Sequence, residues 1–131
     1  MVDVDYFYQR IGKVYDICEQ WRNEVLDTTL ASYKPDVVIL GNASSYPFTP
    51  EEWVDGSARV YEKVAQHASQ VVVIAGTPQL RVNGPSCVAR PLQSADNSPS
   101  GECGADYTLQ SRTAKVKTYQ EQAAQSLSNV H

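Results

Sequence analysis

Histidine and cysteine are scarce in this chain, with two of the first and three of the second. There is no CxxC pair, no paired histidine and no Cys/His cluster, so the ligand spacing of a zinc site is missing and no metal is expected. Long apolar runs are missing too. The longest, Val71 to Ala75, falls far short of the roughly 20 residues that a membrane helix requires. No basic stretch followed by an apolar one comes after Met1, where Val2 to Tyr8 reads acidic and aromatic, so neither a signal peptide nor a transmembrane segment is expected in this chain. Positive charge is in deficit, at a net −4, which removes the basic field that nucleic-acid binding needs. A Gly-rich phosphate loop follows neither apolar run, and no cofactor is expected. What remains is ordinary globular composition, 42% hydrophobic over 131 residues, the size of one domain with a real core.

From Tyr6 to Ser32, the residues Ile11, Val14, Cys18, Trp21, Val25 and Leu26 recur at three- and four-residue spacing, which predicts one amphipathic helix. Lys34-Pro35-Asp36 ends it, because proline disfavours helical geometry in its predecessor. Val37-Val38-Ile39-Leu40 and Val71-Val72-Val73-Ile74 read as short strands apolar on both faces, as in a buried parallel sheet. Between them Thr49-Pro50-Glu51-Glu52 supplies an N-cap, a proline at the first helical position and a capping-box glutamate. That helix turns Trp53, Val60, Tyr61 and Val64 to the core, despite Gly56 weakening its first turns. Residues 79–106 form a long irregular stretch rich in Pro, Ser, Gly and Asn, and a loop of that length is usually functional or tied down. A last helix is predicted over Leu109 to Ser128, with Val116, Tyr119, Ala123 and Leu127 as its apolar side. Alternating helices and strands predict a three-layer α/β fold with parallel strands and helices on both faces. Only two strands are evident where such sheets have about five, so the chain reads as part of a sheet, and an exposed sheet edge would permit self-association.

Cys87 and Cys103 lie within the irregular stretch and flank its segment rich in Pro, Ser, Asn and Gly. A bridge between them would close a loop of about 15 residues, stabilise by roughly 3 kcal/mol and favour an oxidising compartment; the other reading is two free thiols in a surface loop. Cys18 is left over under either.

Several signatures follow one another along nearly the whole chain: Cys18-x-x-Trp21-Arg22, Pro35-Asp36-Val37-Val38-Ile39-Leu40, Trp53-x-x-Gly56, Val71 to Ile74 leading to Thr77-Pro78, then Pro85-x-Cys87-Val88-Ala89 and Cys103. This series resembles the SGNH-hydrolase-like domain fused to bacterial membrane acyltransferases of the acyltransferase-three family. The resemblance implies a flavodoxin-like sheet and an extracytoplasmic place, periplasmic or at the cell surface, as part of a membrane protein. It implies O-acyltransferase or ester-hydrolase chemistry, such as O-acetylation, on glycan hydroxyls. The family carries a Gly-Asp-Ser nucleophile motif early and an Asp-x-x-His pair late, and neither occurs here. The expectation is therefore an internal fragment of that domain covering residues 1–131, inactive alone. Its partners in the full-length polypeptide would be a membrane acyltransferase domain and a glycan or acyl-ester substrate. A non-catalytic glycan- or partner-binding module is the alternative. The resemblance also implies that Cys18 pairs with an upstream cysteine, and it places an aspartate where Gly76 precedes Thr77-Pro78.

SGNH chemistry needs an activated serine and donors for the tetrahedral oxyanion. Gly41-Asn42 follows the first strand at the edge where open α/β sheets bind ligands. The resemblance makes Asn42 the oxyanion donor; the plainer reading is a turn residue. Tyr46 and Trp53 would line an acyl or sugar pocket, or staple the helix start into the core. Ser44 and Ser45 have no evident base, His67 sits near a helix end where a cation is favoured, and His131 is read as frayed. Arg81 and Arg90 would meet an anionic glycan or simply be solvated.

Overall fold

Gly12 overrides the helical periodicity of the first fifteen residues. The computed structural model describes residues 2–77, 82–93, 103 and 111–131. In it Gly12 has φ 66° and its N–H donates to the Tyr8 carbonyl at 3.0 Å. A left-handed glycine reverses the chain, so β1 (Phe7–Tyr8) pairs antiparallel with β2 (Lys13–Val14). The expected helix over Tyr6 to Ser32 is thus corrected at its start, and Ile11 and Val14 are exposed. Helix α1 (Asp16–Glu24) passes through a π-helical stretch, Val25–Thr29, into α2 (Leu30–Tyr33). Its inward face keeps Leu26 of the expected stripe and adds Arg22, both buried, whereas Cys18 and Trp21 are exposed. Lys34 ends α2 with φ 45° and an N–H bond to the Leu30 carbonyl at 2.9 Å, and Pro35 prevents continuation.

The central elements follow their local chemistry. β3 (Val37–Gly41) and β4 (Gln70–Ile74) pair in parallel, Val38 opposite Val71 and Leu40 opposite Val73. They are joined by α3 (Pro50–Ala65), whose capping box is complete: Glu52 N–H donates to Thr49 Oγ1 at 3.2 Å, and Thr49 N–H donates to Glu52 Oε2 at 2.8 Å. Trp53, Val60, Tyr61 and Val64 are buried as the spacing predicts. The last helix, α5 (Arg112–Ala124), starts at Ser111, whose Oγ accepts from Ala114 N–H at 3.2 Å. Its Val116 and Ala123 are buried.

Beyond α5 the chain returns to the sheet. Val130 bridges Val71 in parallel, with Val71 N–H donating to Asn129 O at 2.8 Å and Val73 N–H to His131 O at 2.7 Å. The backbone of His131 is therefore pinned to β4, not frayed, because the apolar Val130 buries its side chain beside Val71. Leu26, Leu40, Val60, Tyr61, Val64, Val71, Ala123 and Val130 form one core, with Val38 and Val73 packed on it. Among the described residues this core lies on one face of the sheet. On the other, Val37, Ile39, Val72 and Ile74 are exposed, so the expected burial of both strand faces is not met there.

The irregular stretch is partly regular. Gly84–Gln93 forms α4, with Asn83 Oδ1 accepting from Ser86 N–H at 3.0 Å as an N-cap, and Pro85 in the first turn, where a missing N–H is tolerated. Cys87 and Cys103 form a disulfide, which decides between the two readings of that pair. Arg81 and the side chain of Arg90 lie outside the described residues, as does most of the rest of 79–106. No helix among the described residues is long and apolar enough to cross a membrane.

Candidate functional site

The carboxyl end of β3 delivers Gly41 and Asn42 into a loop that α5 holds from one side. Gln120, buried on α5, donates its side-chain N–H to Asn42 Oδ1 at 2.7 Å. In that arrangement the Asn42 Nδ2 is buried with no hydrogen-bond partner among the described residues. An unpaired buried donor costs about 1–3 kcal/mol. Further along, Ser44 Oγ lies 3.1 Å from Thr113 Oγ1, and the Arg112 guanidinium donates to the carbonyls of Ser44, at 2.7 Å, and Tyr46. The loop after β4 closes in as well: a Cβ at Gly76 would lie 3.3 Å from the Asn42 carbonyl and 3.4 Å from Ser44 Oγ. The Cβ of an aspartate there, as the resemblance places one, would need the Asn42 carbonyl to give by a few tenths of an ångström.

The N-terminal segment builds the opposite wall. Asp3 N–H donates to the Gly56 carbonyl at 3.0 Å. Its carboxylate pairs with the Arg22 guanidinium and with Arg59 Nε at 2.8 Å. Arg22 also donates to the Val2 carbonyl at 3.2 Å. The close approach depends on glycine, since a Cβ on Gly56 would come within 2.8 Å of both the Asp3 carbonyl and Val2 Cγ1. The segment continues into Tyr6, whose ring sits edge-on to Tyr46 and to Phe48, both at 5.7 Å. Tyr46 and Phe48 stack at 5.4 Å, and Phe48 meets Trp53 edge-on at 5.3 Å.

Between these walls lies a cavity of about 370 Å³ bordered by Gly41, Asn42, Tyr46, Tyr6, Trp21 and Cys18, among others. Three of the sequence-predicted site residues, Gly41, Asn42 and Tyr46, thus meet at one cavity. Trp53 does not line it; at 1% exposure it backs Phe48 from the core, the stapling role. Ser44 is buried and engaged by Thr113. Neither His67, in the turn after α3, nor His131 borders the cavity. Sequence reasoning missed Gln120, Tyr6 and the outward-facing Trp21. The pattern of Trp21 alone assigned it to the core, and nothing local pointed to Gln120.

Behind Asn42, Tyr61 is buried and its phenol is pushed above the ordinary 10.0 by that burial, which the Gln120 and Ser57 side chains offset in part. Neither the Tyr61 nor the Ser57 hydroxyl makes a hydrogen bond of good geometry among the described residues, which agrees with burial being the larger influence. No three His, Cys, Asp or Glu side chains gather around a common point among the described residues. In comparison with known proteins, the sequence matches no family model and no curated protein, and the fold matches no solved structure.

Proposed function

We propose that this chain is part of an extracytoplasmic SGNH-hydrolase-like domain with a flavodoxin-like sheet, of the kind joined to membrane O-acyltransferases acting on glycan hydroxyls. It supplies scaffold, a substrate cavity and Asn42 as an oxyanion donor. The observation that carries the reading is the state of Asn42. It stands directly after a parallel strand at a cavity, its oxygen is engaged by Gln120, and its NH2 has no partner among the described residues. Two donor hydrogens held in place but unpaired are what a developing oxyanion requires. That nitrogen is covered, so an oxyanion reaches it only once its cover is displaced. The Cys87–Cys103 disulfide supports an oxidising compartment.

The nucleophile and base are assigned to other parts of the polypeptide, because no serine–imidazole pair borders the cavity among the described residues. Serine and histidine act as a unit, and losing either costs orders of magnitude. A second reading, a non-catalytic glycan-binding module, draws on the same observation together with the Ser44–Thr113 contact, which ties up the serine nearest Asn42. Both predict that the purified chain hydrolyses p-nitrophenyl acetate no faster than buffer. Turnover abolished by Ser44→Ala or Ser45→Ala would overturn both. Coding sequence on either side separates them: in-frame Gly-Asp-Ser upstream and Asp-x-x-His downstream favour the acyltransferase domain, and stop codons without those motifs favour the module.

A further inference from the structure

We infer that the aromatic cavity beside Asn42 is a binding site for an uncharged sugar ring. The inference deepens the reading above by naming what the site recognises, and rests on it for the glycan class alone. At about 370 Å³ the cavity lies in the range of small-molecule sites and exceeds what an acetyl group fills. Its walls combine two chemistries. Trp21, 60% exposed, and Tyr15 and Tyr46, 43% and 44% exposed, present apolar ring surface to water. The acidic residues Asp5 and Glu19 also border the space. A pyranose matches that combination: its C–H face covers an aromatic ring while hydroxyls around its rim donate to acceptors. A bare alkyl chain would bring no polar group to set against the acidic residues at the cavity's border.

Charge narrows the class further. Arg22, the one basic residue bordering the cavity among the described residues, spends its terminal nitrogens on Asp3 and the Val2 carbonyl; its Nε is buried without a partner among the described residues, and the side chain is only 9% exposed. Among the described residues no further cation borders the cavity, and the acidic residues Asp5 and Glu19 do, so the charge balance disfavours uronic acids. A quaternary ammonium would be drawn to aromatic faces and carboxylates. Tyr46 and Phe48, however, are stacked with 8° between their planes, and Tyr6 is packed edge-on against both. These rings cover one another's faces and leave a platform where a cation needs a cage.

The test is titration of the full chain with chitotriose, tri-galacturonic acid and choline, read by tryptophan fluorescence. Trp21 is the exposed reporter and Trp53 the buried one. Chitotriose is expected to bind and change the emission, with tri-galacturonic acid and choline at least tenfold weaker. Trp21→Leu, read by calorimetry, should weaken chitotriose about tenfold. Tyr33→Ala, which removes an 80% exposed ring away from the cavity, should leave its binding unchanged. Absence of chitotriose binding in the millimolar range, equal binding of tri-galacturonic acid or choline, or full affinity in Trp21→Leu would each overturn the proposal. The ester assay uses no sugar and this titration no ester, so either can fail alone.

Discussion

Asn42 and Gln120 are 78 residues apart in sequence, and their contact decides what the Asn42 amide presents. Removing the Gln120 side chain leaves a second buried group of that amide unpaired. Gln120→Ala is therefore expected to destabilise by about 1–3 kcal/mol in chemical denaturation. Tyr61, next in the same polar group, carries a pH dependence. Its folded pKa is raised above the unfolded 10.0, so the folded state holds the phenolic proton more tightly. The associated stability is present in full below about pH 10 and is lost as pH rises from there through the folded pKa. Tyr61→Phe should change neutral-pH stability by no more than about 1 kcal/mol and fall less steeply than wild type above pH 10, measured by urea unfolding across pH. Asn42 was legible in the sequence because a glycine-asparagine pair after an apolar strand is a local signal. Gln120 and Tyr6 were not, since only tertiary packing brings them there.

Among the elements, α3 was the most legible because its start is written in adjacent residues: Thr49, Pro50 and Glu52. Thr49→Ala should cost about 1 kcal/mol of stability, read as a lowered denaturation midpoint. Gly56 is the less obvious case. By helix propensity alone Gly56→Ala would stabilise by about 1 kcal/mol. Here the added methyl meets the Asp3 carbonyl and Val2 at 2.8 Å, and two of those atoms are backbone or branched side chain that cannot swing away. The substitution is expected to destabilise by about 1–3 kcal/mol and to speed proteolysis near the N-terminus, with cleavage sites mapped by mass spectrometry. The first helix was only half legible. Its apolar spacing is genuine, yet Gly12 makes a hairpin available to the β-prone Phe7, Tyr8 and Val14, and Arg22 turns inward to Asp3, which rotates Cys18 and Trp21 outward. α4 was hidden because Gly84, Pro85 and Pro91 read as punctuation, although Asn83 caps the helix and Pro85 falls where a first turn accepts it.

For the whole molecule, alternation of helices and strands was enough to expect an α/β chain, but not that the helices of the described core gather on one sheet face. Four β-branched residues, Val37, Ile39, Val72 and Ile74, stand exposed on the other face, and parallel sheets are ordinarily covered on both. Self-association through this face is accordingly expected. Ile39→Lys should raise the monomer fraction in sedimentation at little cost in stability, since Ile39 is 64% exposed. The cavity lay beyond sequence reasoning because three separate segments, 2–6, 14–22 and 41–48, enclose it. Its proposed use in ester chemistry rests on the Asn42 amide. The most direct test is an NMR titration of the full chain with O-acetylated chitotriose, following the Asn42 side-chain amide and the Trp21 indole. Both signals are predicted to shift together and saturate at one concentration; a shifting Trp21 indole with an unmoved Asn42 amide would contradict the assignment of Asn42 as the donor.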